Sequence, residues 1–319
     1  MAKLTLAVDA TLLNLMSCHY RWFLSYIKAL RATGAPPDYI ESGDLMHVML
    51  KSHYRNWQLH IDERMKIATE KAWKRAKSLN LPDAVVSDDI AIYREYAKFY
   101  AGEPIVPILV EDYFAKILYE DDDIRIIFVG IVDLGVDNRG HKQVWDHKTS
   151  ERASNPQPFN NQFVGYSWAT GVDTIVVNTI NMTPLFTPKL GKESSIQGDK
   201  RFKRFWFSYP DSVKERWRFN AARQILRLVE ACKDGYFEQD LTSCNKFNHP
   251  CIYQPLCMTE PELRGWRAQR DYVVAERWDP FKRDDEEEVV DGRQKLEETL
   301  TGTLGTLARL QESEFGEEG

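Results

Sequence analysis

Apolar positions in the first hundred residues recur at helical spacing, whereas those of the following eighty alternate or run together as strands do. The spacing predicts helices over residues 9–31, from near Ser42, and over 62–79 and 83–100, with a break at Gly34-Ala35-Pro36-Pro37-Asp38. Strands follow at 105–110, 115–119, 124–133 and 143–148, then a helix over 161–170 and a β-branched strand over 174–177. Asp137-Asn138-Arg139-Gly140 reads as the turn of a hairpin. Residues 188–200 read as a mobile loop. The basic and aromatic run 201–207 reads either as a surface for bases and phosphates or as an edge strand guarded by Lys and Arg. A long helix over 211–233 places Ile225, Leu228, Val229 and Cys232 on one face, so Cys232 reads as a core residue. Helices, then a meander, a helix and a strand make a mixed α/β order with a helical cap.

Composition is that of a soluble globular chain, 43% hydrophobic and 28% charged. No apolar run reaches the length of a membrane span, and the start lacks a secretory signal, which predicts a cytoplasmic protein. The net charge of −6 is unevenly spread. Residues 284–319 hold 12 acidic and 3 basic residues, net −9, so residues 1–283 carry +3. A mildly basic folded part permits a nucleic-acid partner. The acidic tail, with Leu296, Leu300, Leu304, Leu307 and Leu310 at helical spacing, reads as a solvated tail or as a docking helix for a protein partner.

The candidate chemistry lies on the hairpin. Side chains two apart on a strand share a face, so Asp146 and Lys148 point together, near Asp133 and the carbonyl of His147. Two carboxylates and an ammonium suit metal-assisted phosphodiester hydrolysis, since hard oxygen ligands hold Mg²⁺ or Mn²⁺ while the cation meets water or phosphate. The plainer alternative is a hairpin with a surface Asp-Lys pair. His47 follows Gly43 by one helical turn, the glycine leaving room beside the imidazole, and offers a third ligand. Gln162 and Tyr166, also one turn apart, could hydrogen-bond a phosphate or base edge. Glu111, at a strand end, could support the site but is assigned no ligand role.

In order, Gly43…His47, Gly130-x-x-Asp133, Asp146-x-Lys148 and Gln162-x-x-x-Tyr166 resemble the motif set of RecB-type nucleases within the PD-(D/E)xK superfamily, over about residues 9–257. The resemblance implies a restriction-endonuclease-like mixed β-sheet core flanked by helices, behind an N-terminal helical cap. It implies a divalent metal on His47, Asp133, Asp146 and the His147 carbonyl, a catalytic Lys148, and DNA held by Gln162 and Tyr166.

Five cysteines in a cytosolic chain point away from disulfides. Cys244, Cys251 and Cys257, with six and five residues between them, and the distant Cys18 resemble the one-plus-three arrangement of iron-sulfur nucleases of the AddB and CRISPR-adaptation kinds. That resemblance implies a [4Fe-4S] cluster tethering the C-terminal segment, with structural zinc or unligated thiols as the alternatives.

The expected organisation is a helical region 1–104, a nuclease core 105–240, a cysteine-rich closing segment 241–283 and an acidic tail 284–319. The expected function is a metal-dependent DNA exonuclease acting in recombination, repair or phage DNA processing. The rival reading is a DNA-end-binding or scaffold subunit of a larger complex, and a third is a ribonuclease. No G-x-x-x-x-G-K-[ST] motif is present, so unwinding would need a partner.

Overall fold

A computed structural model describes residues 3–33, 38–150, 155–187, 192–246 and 249–276. The acidic tail with its leucines, and residues 188–191 of the expected loop, lie outside the described residues.

The elements in chain order are β1 (Leu4–Val8), α1 (Ala10–Leu15), α2 (His19–Trp22), β2 (Leu30–Ala32), α3 (Asp38–Arg55), α4 (Ile61–Leu79), α5 (Asp83–Phe99), β3 (Val106–Glu120), β4 (Ile124–Asn138) and β5 (His141–Ser150). They continue with α6 (Asn161–Thr170), β6 (Thr174–Asn181), β7 (Phe186–Thr187), β8 (Lys192–Glu193), β9 (Phe202–Ser208), α7 (Asp211–Asp234), β10 (Asn245–Lys246), β11 (His249–Pro250), α8 (Gln254–Cys257), α9 (Arg264–Asp271) and β12 (Tyr272–Val274). The central sheet has six strands in the order β1-β4-β5-β6-β9, with β3 also on β4. β1 and β4 are parallel, β4 and β5 antiparallel, β5 and β6 parallel, β6 and β9 antiparallel. The fold is the expected mixed sheet flanked by helices.

The chain forms two compact units, one drawn from Met1–Gly34, Ala115–Gly130 and Glu215–Gly319, the other from Ala35–Phe114 and Ile131–Lys214. In the second, α3, α4 and α5 cover one face of the sheet, where Leu45, Met46, Met49 and Leu50 meet Leu134, Val136, Trp145 and Val176. Ala68, Ala72 and Ala76 form a small-residue stripe along α4 that lets neighbouring helices approach closely. Ile175, Val176 and Val177 are fully buried because both sheet faces are covered. Asn160 caps α6 by accepting from Phe163 N at 2.9 Å, and Gly171, at φ +72, ends it.

In the first unit, residues 20–32 are tied to residues that follow α7. β2 pairs antiparallel with β12, Tyr20 N donates to Glu238 O at 3.0 Å, and the Tyr253 hydroxyl donates to Leu30 O at 2.7 Å.

Three local expectations need correction. The single helix over 9–31 is broken into α1, α2, a π-helical turn Phe23–Ile27 and β2, with Ala29 at φ +49. Its apolar spacing is helical, but tertiary pairing with β12 claims its end. β1 was not anticipated, being a five-residue strand that only its alignment with β4 defines. The separate strands at 105–110 and 115–119 are one strand, β3, which passes through Glu111 at φ +48. The hairpin turn is Arg139-Gly140, both at positive φ, with Asn138 opposite His141.

Candidate active site

Every sequence-singled residue of the hydrolytic set lies in the second unit. Alternation along β5 sends Trp145 and His147 to the face covered by helices and Asp146 and Lys148 to the other. Asp133 Oδ2 accepts from the backbone N–H of His147 at 2.7 Å and lies 3.9 Å from His47 Nδ1 on α3. Asp146, 2% exposed, accepts at Oδ1 from Lys148 Nζ at 3.0 Å and from Gln162 Nε2 at 2.7 Å. Lys148 Nζ also donates to Gln162 Oε1 at 2.9 Å. Asp146, Lys148 and Gln162 thus close a three-way ring, with α6 delivering the amide.

Tyr166 is buried, set edge-on to Phe114 at 5.1 Å and hydrogen-bonded to Gln162 and to the Ile131 backbone. In this state it supports Gln162 rather than facing solvent.

The electrostatics follow from burial. Desolvation raises both aspartates, Asp146 to about 6, while Lys148 works against the shift and Asp133 adds to it. For Asp133, His47, the His147 N–H and Lys148 oppose the rise, and Glu111 contributes to it. Two neighbouring acids, both raised by desolvation and one raised further by the other, are chemically suited to a divalent cation, with His47 nitrogen and a backbone carbonyl as further donors. Among the described residues, however, no three or more His, Cys, Asp or Glu side chains stand at metal-holding spacing. Lys148 and Gln162 occupy the Asp146 carboxylate instead.

Gly43 makes room for the Thr149 side chain rather than for the imidazole: a Cβ there would lie 2.9 Å from Thr149 Oγ1 on β5. Gly43→Leu is expected to cost about 1–3 kcal/mol in urea denaturation, because the added side chain crowds Thr149 and one of the two must shift. Unchanged stability would show that the close approach is not needed.

Several site residues were missed from sequence. Lys51, one turn beyond His47, pairs with Glu111 at 3.2 Å, a partner that the i, i+4 spacing could have flagged. Behind β5, Asn178 Nδ2 lies 2.9 Å from His147 Nδ1 and 3.0 Å from the Tyr96 hydroxyl, which meets the Tyr54 hydroxyl at 2.7 Å. Arg204 Nε reaches Asn178 Oδ1 at 3.4 Å, pairs with Glu103, and lies over the rings of Tyr100 and Trp145. Since Arg204 claims the amide oxygen, the amide N–H groups face His147, so its Nδ1 accepts and the imidazole is neutral. No sequence pattern signals this network, whose members come from β5, β6, β9, α3 and α5.

The four singled-out cysteines meet in the first unit. Cys18, Cys244, Cys251 and Cys257 line one cavity of about 20 Å³, room for about one water molecule. Burial pushes the Cys257 thiol up to about 11, and Cys18, Cys251 and Cys244 push it the same way. Cys232 lies apart on α7, half-buried, also raised to about 11 by burial.

A mixed sheet flanked by helices, with a buried and a partly buried aspartate, a lysine and a histidine brought together on a hairpin and its covering helix, defines the restriction-endonuclease-like class. The model of the PD-(D/E)XK nuclease superfamily matches residues 10–258, and the chain belongs to that superfamily, whose members are metal-dependent nucleases. No curated protein matches it. A solved structure titled "Crystal structure of SSO0001" aligns over 62% of this chain and 79% of its own, at 12% identity and a TM-score of 0.29. No described helix is long and apolar enough to cross a membrane.

Proposed function

We propose that this protein is a metal-dependent DNA exonuclease of RecB-like type, working in recombination, repair or phage DNA processing. The observation that carries the reading is the meeting of Asp133, Asp146, Lys148 and His47 in one compact unit. His47, Asp133, Asp146 and the His147 carbonyl would hold Mg²⁺ or Mn²⁺. Bound there, the ion supplies a water of lowered pKa and neutralises charge on the phosphate.

Lys148 leaves Asp146 when the carboxylate is needed elsewhere and turns its ammonium to the attacking water or the scissile phosphate. Gln162, released from Lys148, donates to a strand phosphate, and Tyr166 holds Gln162 in place. Lys148→Ala is expected to lower cleavage of end-labelled DNA by about 10³-fold while leaving DNA binding within about threefold. Labels on the 5′ and 3′ ends report polarity. A fully active Lys148→Ala protein contradicts the mechanism, and a wild type without turnover in Mn²⁺ favours the DNA-end-binding or scaffold reading.

The cavity shared by four thiols supports a metal-thiolate staple of the iron-sulfur nuclease kind. The four thiols line the cavity without standing at metal-holding spacing, so they would have to draw together around a zinc ion or spread around a [4Fe-4S] cluster. Absorbance of anaerobically purified protein distinguishes the two.

A further inference from the structure

Three polar residues of α3, His47, Lys51 and Arg55, stand at successive i, i+4 positions. Each step advances about 6 Å along the helix axis, the scale on which phosphates follow one another along an extended strand. His47 meets Asp133 and Lys51 meets Glu111, so the row starts at the candidate active site. Arg55 is exposed and lies on the wall of a groove of about 480 Å³.

The other walls of that groove are Trp57, Gln58, Val106, Ile108 and Val110. Trp57 is fixed in place, stacked with Tyr54 at 5.7 Å and covered by the Arg64 guanidinium at 4.3 Å. Val106 and Ile108 are 60% and 49% exposed, apolar surface that β3 leaves uncovered among the described residues. The groove borders residues next to the site. Tyr54 lines the groove and its ring also stacks on His147 at 5.8 Å, while Val110 directly precedes Glu111.

We propose that this groove receives an unstacked base of single-stranded DNA, whose backbone runs along α3 from His47 past Lys51 to Arg55. The proposal rests on the nuclease reading and names the substrate form and its path. Charge decides the occupant: two cations in line with the site match a polyanion, and the apolar walls match a base face that only a single strand can offer. A phosphate at Lys51 takes the ammonium from Glu111. A duplex keeps its bases stacked and gains only the phosphate contacts.

The test is fluorescence anisotropy on the full chain, without divalent metal so that the probe survives. The probes are a labelled oligothymidylate of about a dozen nucleotides and a blunt duplex of equal length. Wild type is expected to bind the single strand more tightly. Arg55→Ala is expected to weaken that binding roughly three- to tenfold and to lower the slope of log Kd against log salt by about one. Ile108→Ser, at a half-exposed position of β3, is expected to weaken single-strand binding by a similar factor with the salt slope unchanged and the urea midpoint little changed. Wild-type affinity in both variants, or a preference for duplex, overturns the proposal. If Lys148→Ala abolishes cleavage while both groove variants bind normally, the groove falls and the nuclease reading stands. If wild type cleaves nothing yet the groove variants lose affinity, the nuclease reading falls and the groove stands.

Discussion

Asp146→Asn is expected to abolish DNA cleavage, by about 10³-fold or more, and at the same time to make the protein more stable. Burial raises the Asp146 carboxyl from 3.8 to about 6, although Lys148 stabilises its ionised form. At pH 7 the native state therefore carries an ionised acid that the unfolded chain ionises with less difficulty. A shift of about two units costs on the order of 3 kcal/mol. The neutral amide avoids that cost, and its oxygen at Oδ1 can still accept from Lys148 and Gln162, although Lys148 must turn from the Oδ2 position, 2.9 Å away, where the amide carries its NH2.

The sign fixes the pH window. Between 3.8 and about 6 the native state binds the Asp146 proton more tightly than the unfolded state does. The advantage of the variant is then full above pH 6, shrinks as pH falls through 6, and is gone below 3.8. Urea denaturation of both proteins at pH 7.5, 5 and 4 measures it. A variant less stable than wild type at pH 7.5 would falsify the account of Asp146 as an acid held at a cost for chemistry.

On the proposed metal-thiolate staple, Cys257→Ser is expected to abolish metal or cluster binding and lower the thermal midpoint by about 10 °C, because ligation free energy is also folding free energy. The reasoning starts from the crowded thiols. Cys257 is held up near 11 by burial and by three neighbouring thiols, so its deprotonation is unfavourable unless a cation joins it. The elements that the cysteines border also join residues 20–32 to those that follow α7, with Cys18 capping α2 and Cys257 closing α8. Loss of the staple should therefore appear as faster amide exchange in α2 and α8 before it appears elsewhere. Metal content by elemental analysis and the melting curve check both parts. Equal metal content and an equal midpoint in Cys257→Ser would leave the cysteines as ordinary packing residues.

Much of the site was readable because its residues sit in short, regular frames. Asp146 and Lys148 share a strand face by the two-residue period, and Gln162 and Tyr166 share a helix face by the four-residue step. Glu111 shows where reading stops. Its position suggested a strand end, but the strand continues through it in a left-handed conformation. Its partner Lys51 comes from a helix sixty residues earlier. Asn178 looked like one polar residue in a β-branched strand, and its three partners come from three other elements.

The sequence by itself determined which groups are available and in what local frames: the hairpin acids, the lysine, the helical histidine, the amide-phenol pair and four thiols in two distant stretches. Local spacing suffices there because dihedral preferences and periodicity act over a few residues. Only the tertiary structure decided which groups meet and in what charge state. It brought Lys148 and Gln162 onto Asp146, raised that acid to about 6, and gathered the thiols around one cavity. Those outcomes depend on desolvation and on contacts between residues far apart in the chain, which no local pattern encodes.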